Sequence, residues 1–275
     1  MDKRFEPGPG DSKLFYLPGS KLLAHIDPWW GLVALAVGLT VILVTVKADP
    51  FLNILLFVRD GVAVTAFITV TAFGLVLVVG LIGGLGRLSH NPVFHLVATL
   101  YVEIVRGIPL LVQLIWWYFA FPVVLQKIGV WLNVAAIVNY KADPIFTAIT
   151  GITVCYGAYM SEIYRAGIQS ISKSQMAAAR SFGMTHFQSM RHVILPQAAR
   201  VILPPVGNEF IALLKDSCLV SVVAVADLTR RGREFMAVHF NPIEVWTMVA
   251  LLYLVMTLLS ARGVAWIEKK THFEK

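Results

Sequence analysis

The sequence has few charged residues, almost no cysteine and none of the common motifs of nucleotide, metal or hydrolase sites. Only 14% of its 275 residues are charged, while 57% are hydrophobic, which leaves too little polar surface for a soluble domain of this length. The two cysteines, Cys155 and Cys218, both lie in apolar runs, which favours buried thiols over a disulfide or a metal site. The composition therefore indicates an integral membrane protein.

The missing motifs exclude several kinds of site. No Gly-x-x-x-x-Gly-Lys-Ser/Thr loop is present, so the chain cannot bind ATP phosphates in that way. His-Glu-x-x-His, Cys-x-x-Cys and Gly-x-Ser-x-Gly are also absent, and we expect no catalytic residue, metal or cofactor on this chain. The net charge of +7 comes from basic residues scattered between apolar blocks, which fits a membrane surface and not nucleic acid.

Recurring apolar segments predict an all-α integral membrane protein with about six transmembrane helices. We expect the spans at 29–46, 61–86, 108–126, 144–161, 196–226 and 243–261. Residues 88–105 carry histidines and a glutamate, and we expect them to lie along the membrane interface. We expect Pro204 and Pro205 to interrupt the fifth span, because prolines leave backbone groups that need protein or a wet cavity.

The chain divides into four regions. Residues 1–28 form a polar segment without an apolar signal region, and 269–275 form a basic tail. Between them, 29–60 holds the first helix and a connector, and 61–268 holds the main transmembrane domain.

The distribution of basic residues predicts the orientation. The predicted inner segments contain 14 lysines and arginines and the outer segments contain 7, which places both termini in the cytoplasm. Arg230, Arg231 and Arg233 run against this bias. Contact with an acidic partner, folding over a pore mouth and a solvated loop are three interpretations that the sequence leaves open.

Residues 173–196 form the longest stretch with interspersed polar residues between two strongly apolar segments. Three consecutive alanines are strong helix formers, Ser174 is a candidate N-cap, and Gly183 is expected to end the helix. Pro196 is expected to mark the start of the next membrane helix. Small residues flanked by large apolar ones let another protein approach the backbone, so this stretch is either a docking surface or an amphipathic linker.

The sequence of this stretch resembles the EAA coupling loop of ATP-binding-cassette importer permeases. Ala-Ala-x-x-x-Gly occupies 178–183 and Ile-Leu-Pro follows at 194–196. Three further stretches resemble the polar amino acid branch of that family, the His/Glu/Gln/Arg/opine type: 106–113, 157–170 and 194–223. The resemblance covers about 60–268. Ala177 stands where the motif has its glutamate, so a salt bridge made by that glutamate cannot form here.

This resemblance implies a fold, a function and a set of partners. The fold would be a five-helix type I permease core with one extra N-terminal helix, in a bacterial inner membrane. The chain would not be an enzyme itself but the pore subunit of an amino acid importer that works by alternating access. Its partners would be a second permease, identical or paralogous, two cytoplasmic ATPases that bind ATP and magnesium, an external amino-acid-binding protein and membrane lipid.

The resemblance also implies the residues that dock on the ATPase. These are the residues of the short helix and its end: Gln175, Ala177, Ala178, Ala179, Phe182 and Gly183.

Polar residues inside the apolar segments are the candidates for the substrate pathway, because each is costly in hydrocarbon. Glu209 has the charge to face an amino acid's ammonium group. Helix-end amides freed by the proline pair, or a basic side chain, are the candidates to face its carboxylate. Weaker candidates along the same pathway are Asn208, Gln113 and Thr257.

Two further pairs of charged residues lie at or near the ends of apolar segments. Lys215 and Asp216 are interpreted as structural residues that hold helices together through ion pairs or hydrogen bonds, with a place in the substrate pathway as the alternative. Glu162 and Arg165, one helical turn apart, are expected to form a structural pair near the cytoplasmic boundary.

Two other classes of membrane protein fit the composition. A secondary transporter driven by an ion gradient would use paired broken helices in two repeats, and only one broken span is predicted here. A membrane scaffold without transport would place no limits on Glu209 or the proline pair.

Overall fold

The structure, a computed structural model, describes residues 28–271, and every regular element within them is a helix. The predicted polar segment 1–28 lies outside the described residues except for Pro28, as do the last four residues of the predicted basic tail.

Twelve α-helices follow one another along the described chain. They are α1 (Pro28–Val46), α2 (Ala48–Leu88), α3 (Pro92–Arg106), α4 (Leu110–Ile115), α5 (Phe121–Leu132), α6 (Ala135–Val138), α7 (Pro144–Gln169), α8 (Lys173–Ser181), α9 (His186–Ser189), α10 (Leu195–Asp216), α11 (Leu228–His239) and α12 (Pro242–Thr271). Two π-helical segments, Trp116–Ala120 and Met190–Ile194, join α4 to α5 and α9 to α10, and a 3₁₀ segment, Ser217–Val223, follows α10.

Four helical stretches are long and apolar enough to cross a membrane. They are Trp29–Val46, Ala48–Leu88, Leu110–Leu132 and Pro242–Lys270. At 26 and 22 residues, α7 and α10 are also long enough to span, since a helix rises about 1.5 Å per residue, but they are more polar. The all-α fold is confirmed, whereas the count of six spans stays a prediction.

The connector predicted before residue 61 is wrong, because α2 begins at Ala48. Only Asp49 has non-helical backbone angles, and the turns that follow stay helical. Phe51, Ile54 and Val58 on these turns are buried against α11 and α12. Tertiary packing therefore extends the helix about three turns before Gly61, where the uncharged run begins.

α3 packs into the bundle. The order of its contacts, Ala98 beside Gly86 and Tyr101 beside Gly83, shows that α3 runs antiparallel to the end of α2. The Tyr101 hydroxyl also donates to the Val154 carbonyl of α7 at 2.7 Å. The expectation that residues 88–105 lie apart along an interface is therefore replaced by a helix held between α2 and α7.

The predicted break at Pro204 and Pro205 is also wrong, because α10 continues through both residues to Asp216. Each proline lacks the N–H that would bond a carbonyl one turn earlier, so the pair removes donors but does not create free helix-end amides. The helix end that the sequence placed at the prolines lies three turns later, at the 3₁₀ segment.

The ends of the helices in the 173–196 stretch differ in part from the sequence prediction. α8 is capped by Ser172 and not by Ser174, since the Ser172 hydroxyl accepts the Ser174 N–H at 3.3 Å. Gly183 follows the helix with a φ of 83°, the left-handed conformation that was predicted for it.

The next helical run begins ten residues before the predicted proline. Thr185 and Gln188 form a reciprocal capping box at the start of α9, with distances of 2.8 and 3.2 Å. Helical structure then runs without a gap into α10. Pro196 has no N–H to donate to the His192 carbonyl four residues earlier. The π-helical segment Met190–Ile194, which precedes this proline, accommodates the missing hydrogen bond.

α11 is held firmly against α2 and α12. Asp227, which is fully buried, caps α11 by accepting the N–H groups of Arg230 at 3.0 Å and Thr229 at 3.1 Å. Burial raises the pKa of Asp227, and these hydrogen bonds oppose the rise. On α2, the Thr65 hydroxyl accepts the Leu228 N–H at 3.1 Å.

The three arginines that run against the charge bias make contacts within the chain. Arg231 pairs with Asp60 of α2 and with Glu234, and Arg230 pairs with Glu234 at 2.9 Å. The hydrogen bond from Arg230 is the main reason that the pKa of Glu234 is lowered. Arg233 donates to the Ser221 carbonyl at 2.9 Å, which joins α11 to the 3₁₀ segment.

The contact between α2 and α11 requires a glycine at position 61. A Cβ atom at Gly61 would lie 2.9 Å from the Asp227 carbonyl oxygen and 2.9 Å from the Leu228 backbone. We expect Gly61→Ala to lower the thermal unfolding temperature of the purified protein in detergent by several degrees, because backbone cannot move aside as a side chain can.

Gly74 provides the matched control, since it lies on the same helix with nothing within 4 Å of its added Cβ. Gly74→Ala should leave the unfolding temperature unchanged or raise it slightly, because alanine favours helix by about 1 kcal/mol over glycine. Equal unfolding temperatures for the two variants would contradict the close contact between α2 and α11.

Candidate functional site

Aromatic and charged residues of α3, α7 and α10 meet in one place in the bundle. The Tyr156 hydroxyl of α7 donates to Asp216 Oδ2 of α10 at 2.8 Å. One turn along α7, the Tyr159 ring lies 6.2 Å from the Tyr156 ring, and the Arg106 guanidinium lies 5.2 Å from the Tyr159 ring centroid. These four residues and Glu209 are called the charged cluster below.

The two carboxylates of the charged cluster share one face of α10. Glu209 and Asp216 are seven positions apart, which places them about two turns and 10 Å apart along the helix. Glu209 is half-buried, and its charge interacts unfavourably with Asp216 and favourably with Arg106. The charged cluster contains two carboxyl side chains and one guanidinium, so its formal charge is −1 when both acids are ionised.

Asp216 joins α10 to α7 through the hydrogen bond from Tyr156, a contact of the structural kind expected for it, but it does not pair with Lys215. Neighbouring residues on a helix point about 100° apart, so Lys215 and Asp216 face different directions. Asp216 is bonded by Tyr156 instead, and no ion pair of Lys215 occurs among the described residues. Tyr156 and Tyr159 were missed by sequence reasoning, although their three-residue spacing on an apolar helix places them on one face.

Gln113 has a structural role, which argues against its predicted place in the substrate pathway. Its side-chain nitrogen donates to the carbonyls of Val105 and Ile108, both at 2.8 Å, and the residue is 7% exposed. Pro109 lacks the N–H that would bond the Val105 carbonyl. The amide of Gln113 therefore supplies the donor that the break between α3 and α4 removes.

The structure does not connect the other two pathway candidates to Glu209 by a hydrogen bond within the described residues. Asn208 is exposed on α10, and Thr257 is half-buried on α12. No hydrogen bond joins either of them to Glu209 in the part of the chain that the structure describes. Both stay predictions.

Arg165 and Glu162 belong to a larger network at the ends of three helices. Arg165 Nε donates to Glu162 at 3.0 Å, and Arg87 of α2 donates to Glu162 at 2.8 Å. Arg87 also pairs with Glu103 of α3 at 3.1 Å. The two additional members, Arg87 and Glu103, were not found from the sequence. Arg87 lies 75 positions from Glu162 and 16 positions from Glu103, so neither contact is local.

Most residues expected to dock on another protein are exposed around α8. Gln175, Ala177, Ala178 and Gly183 are exposed, and Phe182 has 86% of its surface accessible. Ala179 is the exception at 5% exposed, and its helix α8 packs against the π segment Met190–Ile194. Ala179 is therefore removed from the docking surface and assigned to internal packing.

Comparison with protein families identifies one match. The model of the family described as binding-protein-dependent transport system inner membrane component matches residues 76–273 of this chain.

Similar proteins of known name are permeases. The chain is 36% identical over 200 residues to the glutamine transport system permease protein GlnP of Escherichia coli, covering 73% of this chain and 86% of that protein. It is 33% identical over 276 residues to the arginine transport system permease protein ArgU of Corynebacterium glutamicum, covering 98% and 85%. The second alignment includes α1.

Solved structures have the same fold. An amino acid ABC transporter crystallised with histidines matches with a TM-score of 0.70 and 36% identity, covering 83% of this chain and 97% of that chain. The inward-facing methionine transporter MetNI matches with a TM-score of 0.64 at 20% identity, which shows likeness of fold alone.

The role assigned to Gln113 predicts a loss of stability on its removal. Gln113→Met keeps the volume but removes the side-chain donor from the Ile108 carbonyl and leaves the Val105 carbonyl only the long bond from the Ile108 N–H at 3.4 Å. A buried carbonyl left unsatisfied costs about 1–3 kcal/mol. We expect a clear fall in the unfolding temperature of the purified protein in detergent.

Gln197 is a suitable control, because its side chain donates at 2.9 Å to the Val193 carbonyl of its own helix. In a helix a carbonyl accepts the backbone N–H four residues later, so the Val193 carbonyl keeps the Gln197 backbone N–H as a donor when the side chain changes. Gln197→Met should therefore change the unfolding temperature little. A Gln113→Met variant as stable as Gln197→Met would show that the break between α3 and α4 does not depend on the amide.

Proposed function

Because this chain belongs to the family of binding-protein-dependent transport system inner membrane components and is the permease subunit of an amino-acid ATP-binding-cassette importer, we propose that it carries a cationic amino acid past α3, α7 and α10. Hydrolysis of ATP takes place on a separate subunit, so the chain is a transport component and not an enzyme. The alternative of a secondary transporter is not favoured by these relatives.

The charge of the cluster is the observation that supports a cationic substrate. Every amino acid presents an ammonium and a carboxylate, which Arg106 and one of the two acidic residues would pair. A neutral or acidic amino acid would then leave the second carboxylate without a countercharge, and an uncompensated charge in a partly desolvated site is costly. A side-chain cation removes that cost.

The distance between the two carboxylates adds a requirement on the length of the substrate's side chain. Glu209 and Asp216 are about 10 Å apart along α10, so a substrate needs a long side chain to reach both. Arginine and lysine have the required length and charge, and the similar ArgU protein is named for arginine transport.

Removing one carboxylate tests the substrate class. Glu209→Gln keeps the shape of the side chain and removes its charge, and a hydrogen bond to a charged group contributes about 1.5–3 kcal/mol. We expect arginine uptake by vesicles that contain the complete importer to fall about ten- to a hundredfold.

Lys215→Gln is the control, since it removes a charge from the same helix on a different face. It should leave arginine uptake close to that of the unchanged protein. If Glu209→Gln transports arginine normally, with equal protein level and ATPase association, Glu209 is structural and the proposed substrate class is wrong. The assignment to an importer would still stand.

We also propose the composition of the complete importer. Two cytoplasmic ATPases that bind ATP and magnesium would dock on α8, and an external binding protein would deliver the amino acid. A second permease, identical or paralogous, would complete the pore. Alternating access would expose the charged cluster first to the outside and then to the cytoplasm.

The exposed surface of α8 supports the proposed docking. Phe182 is a large apolar side chain that is 86% exposed beside the small residues Ala177 and Ala178. Exposed apolar patches on a water-facing loop mark interaction surfaces. Ala177 replaces the glutamate of the motif, so contact at this position would depend on close packing and not on a salt bridge.

The proposed location is the bacterial inner membrane with both termini in the cytoplasm. The two-to-one excess of basic residues on the inner segments supports this orientation. In this arrangement α1 and the start of α2 form an additional N-terminal unit before the core domain 61–268.

A charge on the docking surface tests the coupling to the ATPase. Ala178→Asp places a carboxylate in a packed interface without a partner, so we expect the ATPase to dissociate while the permease stays in the membrane. The measurement is the amount of ATPase that co-purifies with the permease from solubilised membranes.

Ala178→Ser is the control, because it adds one small hydroxyl to an exposed position and should retain the ATPase. Full ATPase association by the aspartate variant would mean that docking takes place elsewhere on the chain.

A further inference from the structure

The stretch that includes α8 and α9 carries charge of one sign only. Residues 163–208 contain five lysines and arginines and no aspartate or glutamate. No acidic residue occupies the first turn of α8, where the helix dipole would favour a carboxylate. The region that faces the proposed ATPase is therefore basic throughout.

Two cations lie on the same side of α8 as Ala177. Lys173, Ala177 and Arg180 are separated by four and three positions, the spacing of residues that line one side of a helix. All three residues are exposed. Since a helix rises about 1.5 Å per residue, the two basic residues begin about 6 Å before and about 4.5 Å after Ala177 along the helix axis. We name these three residues the basic face of α8.

The cations of the basic face have no acidic partner in the described part of the chain. Neither Lys173 nor Arg180 takes part in an ion pair within residues 28–271. Glu162, the nearest acid before α8, is bonded by two arginines, and Glu209, the nearest acid after it, belongs to the charged cluster. The basic face therefore presents two uncompensated charges to the molecule that covers it.

The small side chain of Ala177 leaves space between the two cations. The motif that this stretch resembles has a glutamate at this position, and a glutamate here would pair with Lys173 four positions earlier and with Arg180 three positions later. The methyl group of Ala177 neither neutralises the cations nor fills the space between them. A carboxylate supplied by another molecule would do both.

The composition of α8 favours a protein over the membrane surface as the partner of the basic face. Helices that lie on a membrane surface place large apolar side chains such as Trp, Phe or Leu in the lipid below their basic residues. The exposed residues of α8 are instead small or polar: Lys173, Ser174, Gln175, Ala177, Ala178, Arg180 and Ser181. The exposed Phe182 ring that follows the helix is a single aromatic anchor, a residue type that is enriched in protein interfaces.

We propose that the basic face of α8 binds an acidic surface of the ATPase, with a carboxylate of that partner seated over Ala177 between Lys173 and Arg180. This inference rests on the proposed docking of the ATPase at α8, and it adds the charge of the surface that docks there. Carboxylates form short, charge-assisted hydrogen bonds with both lysine and arginine. The ion pair of the motif glutamate would thus be replaced by one of reversed polarity, with the cations on the permease and the carboxylate on the ATPase.

Restoring the glutamate of the motif tests this polarity. Ala177→Glu places a carboxylate where the carboxylate of the partner would sit, and it neutralises the basic face from within the helix. We expect the amount of ATPase that co-purifies with the permease from solubilised membranes to fall about tenfold, because like charges would meet at the interface. The unfolding temperature of the permease alone should not fall, since glutamate favours helix and pairs with both cations.

Ala177→Gln is the matched control, because glutamine has the size of glutamate without its charge and should retain most of the ATPase. Lys173→Gln/Arg180→Gln removes the two cations and should also lower the co-purified ATPase about tenfold. Arg59→Gln/Lys127→Gln makes the same change at exposed residues of the predicted outer segments and should leave the amount of ATPase unchanged.

Equal or tighter association of the ATPase with Ala177→Glu would overturn the acidic partner surface. Normal association with Lys173→Gln/Arg180→Gln would also overturn it, and a loss of preference for phosphatidylglycerol over phosphatidylcholine in native mass spectrometry of that variant would assign the cations to lipid. Ala178→Asp separates this inference from the proposed docking. If Ala178→Asp releases the ATPase while Ala177→Glu retains it, docking at α8 stands and only the polarity is wrong, whereas retention by Ala178→Asp would remove both.

Discussion

A backbone carbonyl that loses its donor inside a membrane has no water to replace it, and this constraint shapes the helices of the bundle. Prolines create the problem, and at three of them the chain meets it in one of two ways. The Gln113 side chain donates to the carbonyls left at the break before α4. Elsewhere a π-helical segment precedes the proline, as at Trp116–Ala120 before Pro122 and Met190–Ile194 before Pro196.

Tight packing around α2 depends on this regular helical backbone. Added Cβ atoms at Gly80 and Gly83 would lie 2.4 Å from Met160 and 2.2 Å from the Ser161 hydroxyl of α7, so the two helices approach at glycine. α7 in turn presents Tyr156 and Tyr159 towards Arg106 and α10. The charged cluster therefore depends on backbone contacts made by residues that never touch it.

The same helices connect the proposed substrate site to the proposed docking surface. The network of Arg87, Glu103, Glu162 and Arg165 ties the ends of α2, α3 and α7 together just before α8. α9, its π segment and α10 then form one helical run from the docking region to Glu209. Movement imposed on α8 would reach the charged cluster along α7 on one side and along this run on the other.

The sequence by itself determined the all-α membrane fold, the helix end at Gly183 and the family. Apolar runs, glycine conformation and local motifs are properties of neighbouring residues, so they are readable without coordinates. The pairing of Tyr156 with Asp216, the structural use of Gln113 and the burial of Ala179 required the tertiary structure. Each depends on helices that are far apart in sequence or on which side of a helix is covered. The proline pair shows the limit most clearly, because neighbouring residues suggested a break while the packed helix continued to Asp216.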